Sequence, residues 1–309
     1  MCIRDRRWTF PVNKLNQQTE QLSPLSSRPT YTETENDLTV KANKRTFIFS
    51  KKDGQLKGVS VDNRKISFAN GPRFIGARRA DRSLDQFYNH DDEKAKEKDR
   101  TYSEFPDAAV FTKLDVKQDG GDLIVTANYK LGNLDKAQWT INPSGDLALD
   151  YTYNFSGVVD LMGIRFDYPE DQVISKRWLG AGPYRVWQNR IHGTQYDIWE
   201  NDYNDPIPGE TFTYPEFKGY FGNVSWMNIQ TKEGTISLTN ETPDTYIGVY
   251  QPRDGRDRLL YTLPESGISV LNVIPPVRNK VNSTDLCGPS SQPKWVNGPQ
   301  TGRVIFRFM

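Results

Sequence analysis

The sequence predicts an all-β protein: one antiparallel domain spanning residues 36–309 and built as two large stacked sheets. Three observations carry this. Apolar residues alternate with polar ones along several segments, glycine-bearing turn pairs stand between those segments, and no long stretch repeats at the helical period. A β domain of this length buries its strands most readily as two stacked sheets.

The elements follow in chain order. Residues 1–6, "MCIRDR", back-translate to the end of a transposon used to prepare sequencing libraries, so they read as translated adapter and are set aside. The coding sequence is then expected to be cut at its 5′ end, and compartment cannot be read from a missing signal peptide. Residues 7–35 are polar and unpatterned, and read as the tail of a preceding module and a linker. Strands are expected from near Leu38. In "LIVTANYKL" the apolar set is Leu123, Val125, Ala127, Tyr129 and Leu131; in "LALDYTYNF" it is Leu147, Leu149, Tyr151, Tyr153 and Phe155; in "RVIFRF" it is Val304, Phe306 and Phe308. Period-two alternation puts each set on one buried face. Asp53-Gly54, Gly120-Gly121, Ser144-Gly145 and Glu233-Gly234 each precede an apolar strand, where glycine permits the positive φ of a tight hairpin. The best helical candidate is the charged stretch at 91–100, read as a solvated insertion.

Composition excludes several functions. Lys+Arg number 40 and Asp+Glu 39, so no cationic excess is available to neutralise nucleic-acid phosphates. No apolar run is long enough to form a membrane-spanning helix. With Cys2 in the adapter, Cys287 has no intrachain disulfide partner. There is no G-x-S-x-G turn, phosphate loop or H-E-x-x-H, and His90 and His192 are the only histidines, which argues against a zinc site. The acids Asp197, Glu200, Asp202 and Asp205 of "YDIWENDYND" could offer oxygens to Ca²⁺, but the spacing lacks the glycine and closing Glu of an EF-hand, and a solvated turn fits them better. No cofactor or metal is predicted.

The strongest chemical signal is aromatic. Nine Trp and Tyr fall between positions 178 and 226. Their rings suit the C–H faces of sugars and their polar handles suit sugar hydroxyls; equally, such rings fill the gap between two sheets.

At "WLGAGPYRVWQNR" the chain resembles the C-terminal small-chain domain of glycoside hydrolase family 2 β-galactosidases, a super-sandwich related to galactose mutarotases, in its Bacteroidetes-like form. Against the family pattern G-x-G-P-x-E-x-Y-x-D-R, Gly180, Gly182, Pro183 and Arg190 match, while Arg185 replaces the Glu, Trp187 the Tyr and Asn189 the Asp. "NKRTFIFSKKDGQL" is similar to the family's opening hairpin, "WTINPSGDLAL" to a later one, and "FTYPEFKGY" to its Y-x-x-P-x-E-x-G loop, with Pro215 and Gly219 aligned and the acid shifted to Glu216. The stretch at 76–87 lacks the family's R-x-P-x-D-N-D segment. That departure and Arg185 argue against assigning galactose as the sugar.

The resemblance implies a galactose mutarotase-like super-sandwich whose catalytic glutamates lie on a TIM barrel elsewhere in a longer chain. This chain shows no βα alternation. The expected function is therefore a non-catalytic, carbohydrate-binding domain that completes the cleft of a family 2 hydrolase. Trp295, in the loop "LCGPSSQPKW", takes the place of the family's tryptophan at the aglycone subsite. Asn189 and Arg190 would donate to sugar oxygens or pin the loop, and Trp187 and Glu216 complete the candidate set; no catalytic residue is expected. The implied partners are an oligo- or polysaccharide and the barrel of the same chain, with oligomerisation open and a periplasmic or extracellular setting. The alternatives are a stand-alone carbohydrate-binding or aldose-epimerase-like protein and a purely scaffolding domain. Epimerase chemistry needs a His acid and a carboxylate base around the ring oxygen, and neither histidine sits in such a motif.

Overall fold

Leu147, Leu149, Tyr151 and Tyr153 are buried, while Asp150 and Thr152 between them reach solvent in part. The same alternation sorts Val304, Phe306 and Phe308, all fully buried, from Arg303, Ile305 and Arg307. These inward sets cover one face each of neighbouring strands, and burying that face against a second sheet organises the molecule. The computed structural model describes residues 27–79, 102–203, 219–250, 263–276, 290 and 292–309.

Two antiparallel sheets result. The first, of eleven strands, runs β1 (Thr30–Glu33), β2 (Asp37–Ala42), β3 (Arg45–Ser50), β4 (Leu56–Val61), β6 (Ala69–Arg79), β12 (Leu161–Asp167), β19 (Ile268–Val273), β18 (Tyr246–Val249) and β15 (Phe221–Gly222). To its side, β5 (Arg64–Ile66) pairs with β4 and β7 (Tyr102–Glu104) with β6. The second, of nine strands, runs β14 (Gln195–Asp202), β13 (Val173–Gly182), β16 (Trp226–Thr231), β17 (Gly234–Asn240), β20 (Lys294–Phe308), β11 (Leu147–Val159), β10 (Leu134–Ile141), β9 (Asp122–Lys130) and β8 (Val110–Asp119). Among the described residues the longest helical piece is a 3₁₀ turn at Glu170–Gln172.

Aromatic rings fill the space between the sheets. Phe68 stacks on Phe166 of the first sheet at 4.9 Å and meets Phe306 and Phe308 of the second at 5.1 and 5.3 Å. Phe49 of β3 meets Trp139 of β10 at 5.9 Å. Polar ties close the sandwich margin. Arg45 of β3 donates to the carbonyls of Phe308 (2.6 Å) and Ser144 (2.7 Å), and Arg307 makes a two-point pair with Asp146 at 2.7 and 2.9 Å. Gly145 turns this corner at φ +81°, where a Cβ would stand 2.9 Å from the Ala42 carbonyl oxygen.

β20 has unequal neighbours. It pairs with β11 from Lys294 to Phe306, but with β17 only from Val304 to Phe308. Just beyond, the Glu241 amide donates to the Arg303 carbonyl and the Arg303 amide to Thr242 Oγ1. Among the described residues, the stretch 294–302 therefore has β11 on one side and an open edge on the other, with Pro299 along it.

Three local expectations change. A strand, β1, lies inside the stretch read as linker and pairs with β2. Leu131 is not on the buried face of β9: it sits in the following turn at φ 63° and is 73% exposed. The acids read as a turn belong instead to β14, where Asp197 and Glu200, three apart on an extended strand, leave opposite faces. No group of three or more potential metal ligands occurs among the described residues. His90, Cys287, Asp205, Glu216 and the charged stretch at 91–100 lie outside the described residues.

Candidate functional site

β13 delivers the chain to the loop that carries most of the candidate residues. At Gly182, the last residue of the strand, the backbone lies close against Trp199: a Cβ there would come within 2.4 Å of the indole. The Trp199 indole N–H is shared between the carbonyls of Gly180 and Gln195, both at 3.2 Å. The Gly182–Pro183 peptide is cis. Arg185 then turns inward and is 3% exposed, its guanidinium carbon 5.8 Å from the centre of the Phe221 ring. Lys176, also buried, stands 6.0 Å from that ring, so two cations share one aromatic face set. Lys176 also donates to the Asp202 carbonyl at 3.0 Å.

The loop next lies down on the outer face of the first sheet. Val186 and Tyr220 exchange both backbone hydrogen bonds, at 2.7 and 2.8 Å. The approach is close enough that a Cβ on Gly219 would sit 2.1 Å from the Val186 carbonyl oxygen. Trp187 is fully buried and meets Tyr220 edge-on at 5.7 Å, and full burial pushes the Tyr220 phenol up. These two join Ile75, Ala77, Leu161 and Leu271 in a second, smaller apolar cluster. Trp187 and Arg190 then close a tight turn through reciprocal backbone bonds of 2.8 and 3.3 Å.

Gln188, at the head of that turn, is 7% exposed. Its amide N–H donates to the Pro275 carbonyl at 3.1 Å, and its side-chain nitrogen donates to the carbonyls of Ser290 (2.9 Å) and Gln292 (2.6 Å). The turn is thereby fastened to the segment leading into β20. Trp295, the second residue of β20, is 71% exposed and pairs with Val158 of β11.

The candidate residues thus occupy distinct positions. Asn189 is half-buried and Arg190 exposed on the turn, Trp187 packs beneath them, and Trp295 stands out from the strand that Gln188 anchors. Gly180, Gly182 and Pro183 shape the strand-to-loop passage. A fully buried Trp187 offers no ring face to a ligand; its part is to seat the turn. The indoles and phenols of Trp178, Trp187 and Tyr220 all fill interior space. Sequence reasoning passed over two residues here. One is Gln188. The other is Asp160, 4% exposed between β11 and β12, whose amide donates to the Ala77 carbonyl at 2.9 Å. An acid inside the apolar run "VVDLMG" was the available signal for it.

A galactose 1-epimerase from Lactobacillus acidophilus is similar in structure, with a TM-score of 0.45 and 10% identity, over 92% of this chain and 99% of that one. An aldose epimerase homologue from C. elegans gives 0.42 and 6% over 91% and 99%, and a galactose mutarotase-like protein from Lactobacillus casei gives 0.37 and 12% over 91% and 100%. A search of curated proteins returns no match. The family described as beta galactosidase small chain matches residues 41–275, well over half of the chain. With its two antiparallel sheets and the glycine–proline loop between β13 and the Trp187 turn, the chain belongs to the beta-galactosidase small chain family.

Proposed function

We propose that this domain forms one wall of a saccharide-binding cleft in a longer family 2 glycoside hydrolase, with the acid and base of hydrolysis supplied elsewhere in that enzyme. The observation that carries the reading is Trp295: a large aromatic side chain, 71% exposed, on a strand whose approach is tied by two part-buried hydrogen bonds from Gln188. An exposed indole offers a broad apolar face with a polar handle, and a sugar ring supplies a matching C–H face. Asn189 and Arg190, on the turn that Gln188 heads, add donors on the same anchored unit.

The test uses this chain and the enzyme restored with its upstream sequence. The chain alone is expected to leave aryl β-galactosides unhydrolysed and the mutarotation of galactose unaccelerated. In the restored enzyme, Trp295→Ala is expected to raise KM for an oligosaccharide by roughly tenfold, about 1.4 kcal/mol. Hydrolysis or mutarotation by the chain alone would overturn the reading. Unchanged kinetics in Trp295→Ala would assign the domain to scaffolding.

A further inference from the structure

A cleft of about 840 Å³ opens where β17 leaves the side of β20. That size lies within the range of roughly 300–1,000 Å³ usual for small-molecule sites. We propose that it binds a neutral oligosaccharide, as a saccharide site separate from the Trp295 surface.

Charge narrows the ligand first. Lys136, Lys294 and Arg303 face the cleft together with Asp150, Glu241 and Asp244, so three cations and three carboxylates cancel. Arg303 is already committed, to Asp150 and, at 3.0 Å, to Glu241. Burial alone would weaken its charge, but these two carboxylates reverse that and hold it protonated. A phosphate or a polycation would find no net field here. A ligand of hydroxyls would find many partners.

The floor supplies them. Tyr151 is 2% exposed and forms part of the cleft wall from below. Thr242 stands beside this phenol, with its Oγ1 engaged with the Arg303 backbone. Gly302 makes room for this phenol, because a Cβ there would stand 2.2 Å from the Tyr151 oxygen. Asn272 accepts from Tyr153 through Oδ1 at 2.6 Å, which leaves its amide nitrogen to donate, and Gln300 adds a second amide. Tyr246 is half-buried across the cleft and offers a ring to sugar C–H groups. Trp295 is not part of the lining. The inference therefore does not depend on the role proposed for Trp295.

The test is a ¹⁵N-labelled sample of the whole chain titrated with four neutral tetrasaccharides (galacto-, cello-, manno- and xylotetraose) and with tetragalacturonate. At least one neutral sugar is expected to shift the side-chain amides of Asn272 and Gln300 and the backbone amides of Thr301 and Gly302. Tyr246→Ala and, separately, Gln300→Leu are expected to weaken that binding at least tenfold, with the remaining spectrum showing that each variant is folded. Trp295→Ala is expected to leave it unchanged. Cleft shifts absent with all four neutral sugars, shifts produced only by tetragalacturonate, or shifts abolished by Trp295→Ala would each overturn the proposal. Loss of shifts around Trp295 with cleft shifts intact would instead count against the Trp295 reading alone.

Discussion

The side-chain nitrogen of Gln188 donates to the Gln292 carbonyl at 2.6 Å across 104 residues of chain. With the companion bond to Ser290, it joins the turn carrying Asn189 and Arg190 to the segment leading to Trp295. Gln188→Leu keeps the volume but removes both donors, leaving two carbonyls to find water. The expected cost is about 1–3 kcal/mol, seen as a fall in melting temperature of roughly 2–4 °C per kcal/mol for a domain of this size. Faster amide exchange at residues 292–296 should accompany it, and unchanged exchange there would show that the clamp does not hold the strand.

Gly302 and Tyr151 sit opposite each other on β20 and β11. Gly302→Ala places a methyl group 2.2 Å from the hydroxyl and 2.3 Å from the ring carbon bearing it, so the ring itself must move. Overpacking of this kind costs about 1–3 kcal/mol. Tyr151→Phe, which leaves the ring in place and removes only the hydroxyl, should cost far less than Gly302→Ala. Tyr151→Leu combined with Gly302→Ala should be less destabilised than the sum of the single changes, a coupling readable from a double-mutant cycle in urea.

Phe68 is the ring on which both sheets converge, in contact with Phe166, Phe306 and Phe308. Phe68→Ala should cost about 3–5 kcal/mol through lost contacts and the cavity left behind. The urea midpoint should fall at unchanged slope, since the surface exposed on unfolding barely changes.

Asp146 links stability to pH. Burial works to raise its pKa, but the hydrogen bonds and charge of Arg307, helped by Asn142 and Arg45, outweigh it and hold the carboxyl below its usual value. The folded state therefore binds this proton less readily than the unfolded chain. Its stabilisation is present above the ordinary carboxyl pKa of about 3.9 and is lost as pH falls through the lower folded value. Asp146→Asn should cost about 1.5–3 kcal/mol at pH 7 and much less near pH 2, as read from thermal melts across that range.

Much of the fold was legible in the residues themselves, and the reasons are local. Alternation in "LALDYTYNF" and "RVIFRF" named the buried faces, because a one-residue slip would have sent those rings to solvent. Gly54, Gly120, Gly145 and Gly234 all take positive φ at the turns where a hairpin requires it. β1 was invisible because every one of its four residues is exposed, so the strand has no apolar face to betray it. Leu131 misled for the opposite reason: an apolar residue in register with the strand but one step past its end. In the site, Trp295 and the glycines of the loop stood out by type. Gln188 did not, because its partners are main-chain carbonyls about a hundred positions away and carry no side-chain signature.

Pro299 has a consequence beyond its own strand. Arg303 turns its amide away from β11, so by alternation the backbone polar groups of Trp295, Asn297, Pro299 and Thr301 point to the same side of β20, the side without a partner strand among the described residues. At the middle of that row the imide nitrogen has no hydrogen to give. A foreign extended segment approaching this border would meet a gap in the donor pattern and fail to zip along it. The stretch that holds an exposed tryptophan outward is thus a poorer template for strand addition by a second molecule than an edge with an unbroken row of amides.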